Sequence, residues 1–208
     1  RRPPRSTPSN SSAASDVYKR QAMVIATIFG LIAAFGIDSA LVKFVAEHKE
    51  NESKVSSLVS SAFFTTLIIG LIASLILFFS SIIFSDIFNM PSLSLLLKIY
   101  AFALPFILVH GIIISLFMGL REMGYFAFIR ILEALLALAF ILALLMIGLG
   151  VVGAMLGTVF AMIVALGIAV VIVKRLVHLS FMDYKKNTKM LTSFGSRLMG
   201  ANMIGYIY

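Results

Sequence analysis

The chain of 208 residues contains no cysteine, so it has neither a disulfide nor a thiolate metal site, and cysteine usage says nothing about its redox compartment. Enzyme signatures are missing as well. There is no carboxylate pair at catalytic spacing, no His/Asp/Glu metal cluster, no nucleophile elbow and no Walker-type glycine loop. The Gly148–Leu149–Gly150 stretch is a turn between apolar segments and lacks the strand–helix setting of a nucleotide site. An ATP-driven pump needs a nucleotide domain, and these residues hold none. The expectation is therefore a protein without catalytic residues, metal or cofactor.

What the chain does have is apolar length. It is 61% hydrophobic with a mean hydropathy of +1.06, against about 45–50% apolar residues in soluble domains. An integral membrane protein is expected, with the lipid bilayer as its first partner. The net charge of +8 needs dividing before it is read. Residues 11–21, SSAASDVYKRQ, resemble the conceptual translation of a sequencing adapter, and 1–10 read as material of the same origin. Residues 1–21 are excluded from fold reasoning, as an expression scar would be. They carry a net +4, as does the remainder, so the basic head is no argument for nucleic acid binding. The corollary expectation is that natural sequence is missing at both ends.

A spanning helix needs about 20 mostly apolar residues. Five segments qualify, near 22–44, 57–84, 93–119, 126–148 and 152–174, and a sixth begins near 191. The expected fold is an all-α polytopic transmembrane bundle. The first, third and fifth connections with their helix ends hold ten basic residues: Lys43, Lys49, Lys54, Arg121, Arg130, Lys174, Arg175, Lys185, Lys186 and Lys189. The second and fourth hold none. Lys and Arg in short loops mark the cytoplasmic side, which puts 43–56, 120–125 and 175–190 there. Residues 44–56 read as a solvated linker, rich in Lys and Glu.

Packing signals lie within the spans. Gly153, Gly157, Ala161 and Ala165 form a ridge of small residues that lets helices approach closely in lipid. Ser57, Ser61 and Thr65 make a polar stripe that reads as packing rather than a ligand site. Pro105 removes a backbone hydrogen bond in mid-helix and is expected to kink it.

Five ionisable residues fall within or near the spans: Asp38, Lys98, His110, Arg130 and Glu133. Each costs about 2.5–3.5 kcal/mol on insertion scales and calls for a partner or a wet cavity. Arg130 and Glu133, three apart, share one helix face. They read either as an internal ion pair or as a guanidinium held by Glu133 and aimed at a phosphate, which the planar Arg fork suits. Asp38, near the same level, can join that network. Lys98 either snorkels to the interface or lines a cavity. His110 either bonds a neighbouring helix or takes part in proton coupling.

The segments GIDSALVKFVAEH, LLLKIYAFALPF, FMGLREMGYFAFIRILEAL and SFGSRLMGANMIGYIY, in this order, resemble the polysaccharide-transporter branch of the multidrug/oligosaccharidyl-lipid/polysaccharide flippase superfamily. The resemblance covers residues 22–208. It implies a fold of two six-helix lobes around a central cavity, of which 22–176 match helices two to six. It further implies that 177–190 is a cytoplasmic inter-lobe linker, that 191–208 opens the second lobe, and that the rest of that lobe is a missing partner. The implied activity is movement of polyprenyl-linked oligosaccharides to the outer leaflet of a prokaryotic plasma membrane by alternating access. By the same likeness Arg130, Lys98 and Arg197 match positions often basic in the family and become candidate substrate contacts. Glu133, Asp38 and His110 stand as coupling or ion-pair candidates. The dense arginine cluster of lipid II flippases is lacking. Rival expectations are a cation-coupled multidrug exporter, a membrane-embedded glycan ligase or transferase, and a scaffold without transport.

Overall fold

A computed structural model describes residues 24–177, 180 and 183–205, with side chains up to residue 200. The adapter-like residues 1–21 lie outside the described residues. The chain folds as helices throughout the described spans: α1 (Val24–Ala34), α2 (Ile37–Glu47), α3 (Glu52–Ile87), α4 (Pro91–Leu120), α5 (Met123–Met146), α6 (Gly150–Leu176) and α7 (Tyr184–Gly205). Four of these, α3 to α6, are long and apolar enough to cross a membrane, and α1 with α2 makes a fifth when taken as one bent span. This is an all-α polytopic membrane bundle, as the hydropathy implied. In lipid a helix satisfies its own backbone, which is why long apolar runs take this form.

The turns are set by local chemistry. After α4, Arg121 takes a left-handed conformation (φ 60°), its N–H bonds the Met118 carbonyl, and the Glu122 N–H reaches back to Phe117. That is a Schellman cap with arginine where glycine is usual. Asn89 after α3 and Gly148 after α5 repeat the pattern, with the following N–H groups returning to Ser85 and Leu144. Pro91 opens α4, where its missing N–H is no loss.

The first span is not continuous. Phe35 and Gly36 both have positive φ (50° and 64°) and bend α1 against α2 by 42°. Gly36 is also where α7 crosses. A Cβ added to Gly195 would meet the Phe35 carbonyl oxygen and the Gly36 backbone well inside contact distance. Only glycine on both strands of this crossing permits the approach.

Helix α4 is the hub. Of its most apolar window 72% is buried, against 6% for α5. It packs on α2, α3 and α6. One core cluster joins Ile37 and Leu41 of α2, Leu58 of α3, Leu116 of α4 and Leu191 of α7. A second joins Leu77 of α3 and Leu93, Leu97 and Leu104 of α4 to Met155 of α6. A third ties Val109, Ile113 and Phe117 of α4 to Ile129 of α5 and Leu166 of α6. The ridge of small residues packs as expected: a Cβ on Gly157 would strike the backbone of Ile141 at 2.8 Å, so α6 lies directly on α5.

Pro105 sits inside α4, which runs unbroken past it. The Ala101 carbonyl, deprived of its donor, accepts the Ser74 hydroxyl of α3 at 2.6 Å. Gly70 on the same face of α3 leaves room for the ring, since a Cβ there would lie 3.0 Å from Pro105 Cα.

Two connections differ from the sequence reading. Residues 44–56 are not a linker: α2 runs to Glu47, α3 starts at Glu52, and only 48–51 lie between. Asn51 caps α3 by accepting the Lys54 N–H at 3.0 Å, and Glu52 complements the helix dipole. The helix expected near 191 begins at Tyr184, in the basic stretch that reads as linker. Its first turns dock on α3. Asn187, fully buried, donates to Ser57 at 2.6 Å and accepts from Lys54 at 3.1 Å. Thr65 lies 3.0 Å from the Thr188 hydroxyl and 3.3 Å from that of Tyr184. The polar stripe of α3 is thus a hydrogen-bonded packing surface, as its composition suggested.

Candidate functional site

The α4–α5 hairpin assembles the cluster of interest by counting outward from its turn. His110 is ten residues before the end of α4 at Leu120, and Glu133 is ten after the start of α5 at Met123. At 1.5 Å per residue each stands about 15 Å from the turn. Ile129, the one buried residue of α5, orients the helix by seating among Val109, Ile113 and Phe117. Glu133, one turn on from Ile129, therefore faces α4. Arg130 lies on the flank, exposed.

Glu133 Oε2 is 3.4 Å from Arg130 Nη1 and 3.8 Å from His110 Nε2. Side-chain exposure grades across the three, from 7% for His110 through 25% for Glu133 to 54% for Arg130. His110 Nε2 is buried without a hydrogen-bond partner among the described residues. The result is a guanidinium at the surface of an apolar helix, anchored by one carboxylate oxygen with most of its donors free. Arg donors in a fixed fork match a phosphate or carboxylate.

The other sequence candidates lie elsewhere. Lys98 is twelve residues from His110 along α4, about 18 Å by helical rise, and its Nζ stands 5.7 Å from the Phe78 ring of α3. Arg197, exposed on α7, donates to Ser193 Oγ at 3.1 Å on its own helix. Lys43, not singled out by sequence as a site residue, lies 4.2 Å from the Phe194 ring where α2 meets α7.

Asp38 lines a cavity of about 320 Å³ on the side of α4 that bears Ile107 and Gly111. Its carboxylate accepts the Ser39 N–H at 2.8 Å. Thr66 and Tyr100 also face this cavity, and the buried Thr66 hydroxyl has no hydrogen-bond partner among the described residues. Asp38 thus stands in a separate setting from the Arg130–Glu133–His110 cluster. Sequence reasoning missed Thr66 and Tyr100 because a lone hydroxyl in an apolar run carries no spacing signal. The His110–Glu133 contact did have one, the equal count from the turn.

The helices and turns define a multi-pass membrane protein whose central helix is wrapped by its neighbours. Residues 19–208 match the sequence model of the polysaccharide biosynthesis protein family, so the chain belongs to that family, one of polysaccharide transporters and flippases. Comparison with curated proteins and with solved structures found no match.

Proposed function

We propose that the protein takes part in flipping polyprenyl-(pyro)phosphate-linked oligosaccharides across a prokaryotic plasma membrane. The observation that carries this reading is the half-exposed Arg130 guanidinium within an apolar span, held by Glu133 with donors to spare. An intramembrane arginine is costly and is retained where it meets a counter-charge. A lipid-linked phosphate supplies that charge while its prenyl tail stays in hydrocarbon. The mechanism is alternating access, with this bundle as one lobe and a second lobe as its partner. Arg130 is the headgroup contact; Lys98 and Arg197 act at other points along the path.

The cavity at Asp38 favours a second reading, a cation-coupled exporter, because its lining has a carboxylate and, among the described residues, no basic one. One experiment separates the two. The full-length protein is reconstituted in vesicles and assayed for movement of a lipid-linked oligosaccharide headgroup and for export of an organic cation. Headgroup movement supports the flippase. Cation export without headgroup movement rejects it.

A further inference from the structure

His110 is the buried titratable group of the hub helix, and its surroundings are few. From α5, Glu133 and Arg130 face it. Among the described residues α2, α3 and α6, which also pack on α4, present no charged group to it. Asp38 of α2 lies in the cavity against Ile107 and Gly111. The 3.8 Å from His110 Nε2 to Glu133 is too long for a hydrogen bond but short for a charge. The same Glu133 oxygen holds Arg130 at 3.4 Å. A single carboxylate oxygen is therefore shared between a permanent cation and a ring that becomes a cation only on taking up a proton.

We propose that His110 is a proton-operated positioning residue: its protonation draws Glu133 inward and releases Arg130 to an anionic headgroup. The proposal rests on the reading of Arg130 as the headgroup contact. With His110 neutral, Glu133 and Arg130 cancel and the guanidinium is engaged. With His110 protonated, two cations compete for one carboxylate. The buried partner cannot leave, whereas Arg130 is at the surface and can. The cluster then carries one net positive charge, which an arriving phosphate neutralises. Proton and anion thus favour each other's binding, and the linkage is reciprocal. The sign is fixed: anion affinity rises as pH falls through the His110 titration and declines as pH rises through it.

The test uses the full chain in nanodiscs with farnesyl pyrophosphate and inorganic pyrophosphate as probes. Binding is measured across a pH series, with the His110 ring signal marking where that residue titrates. The unaltered chain is expected to gain about 10-fold more affinity on acidification than His110→Gln, which retains only the probe's own ionisation. Equal gains in the two chains overturn the proposal. Preference for farnesyl pyrophosphate marks the site as one for a lipid headgroup, and equal binding marks it as one for phosphate charge; either supports the switch when the extra gain vanishes in His110→Gln. Arg130→Gln separates the two levels. If it loses binding while the acid response survives in His110→Gln, Arg130 stands and the switch falls. If it binds as well as the unaltered chain, both fall. A readout without ligand guards against misfolding of the variant: in chain labelled at the histidine ring carbons, the pH at which the His110 resonance titrates is expected to move in Glu133→Gln. A His110 signal unmoved by that substitution overturns the proposal.

Discussion

The Ser74 hydroxyl on α3 donates to the Ala101 carbonyl on α4 at 2.6 Å, and Ala101 is the residue whose helical donor Pro105 removes. A proline in the central helix is thereby tolerated through a neighbour, as expected where no water can reach a freed backbone group. Ser74→Ala is expected to lower stability by about 1–3 kcal/mol, the cost of a buried acceptor left unpaired. In Pro105→Ala the restored N–H serves Ala101, so there the same serine change should cost little. Thermal unfolding of the four chains of this double-mutant cycle checks the coupling; additive losses would show that the two residues are unconnected.

The crossing at Gly36 and Gly195 allows no side chain. Gly195→Ala is expected to destabilise by about 1–3 kcal/mol through overpacking and to loosen α7 from α2. Gly167 is the control, an exposed helical glycine with open space around its Cβ position. Gly167→Ala should be neutral or stabilise by up to about 1 kcal/mol. Melting temperatures of both variants decide.

Asn187 ties α7 to Lys54 and Ser57. Asn187→Ala removes the bonds to the Ser57 hydroxyl and the Lys54 ammonium, an expected loss of about 1–3 kcal/mol. Amide exchange should accelerate over 184–192 while α5 keeps its protection, since α5 packs on α4 and α6. Uniform acceleration across the bundle would mean that α7 is not a separately docked unit.

Much of this architecture was legible before any coordinates. Apolar runs gave the helices to within a few residues, and the ridge of small residues at Gly153 and Gly157 gave a close-packing face on α6 without its partner, because each is a signal carried by one segment. What stayed hidden depends on two segments at once. The bend at Phe35–Gly36 looked like more apolar helix, since the glycine's purpose lies on α7. Tyr184, Asn187 and Thr188 looked like linker, since their polarity is matched only by the stripe on α3. At the candidate site, Arg130 and Glu133 were readable as an i, i+3 pair. Which way they faced was not, because Ile129 sets that orientation through its seat on α4.

The sidedness implied by the basic residues follows from the same framework and suits a chain without cysteine. Single substitutions Ser92→Cys at the end without basic connections and Ser53→Cys at the basic end can be probed with an impermeant maleimide on intact cells. Labelling of Ser92→Cys alone is expected. Labelling of Ser53→Cys alone would invert the bundle and move Arg130 to the outer half of the membrane.

The central claim is that Arg130, steadied by Glu133, meets the phosphate of a lipid-linked glycan. The most direct measurement is the rate of headgroup translocation by the reconstituted full-length protein carrying Arg130, Arg130→Lys or Arg130→Gln. A charge-assisted hydrogen bond contributes about 1.5–3 kcal/mol, so Arg130→Gln should be slower by about 10- to 100-fold, with lysine between, lacking the two-pronged fork. Equal rates for all three chains would contradict the account.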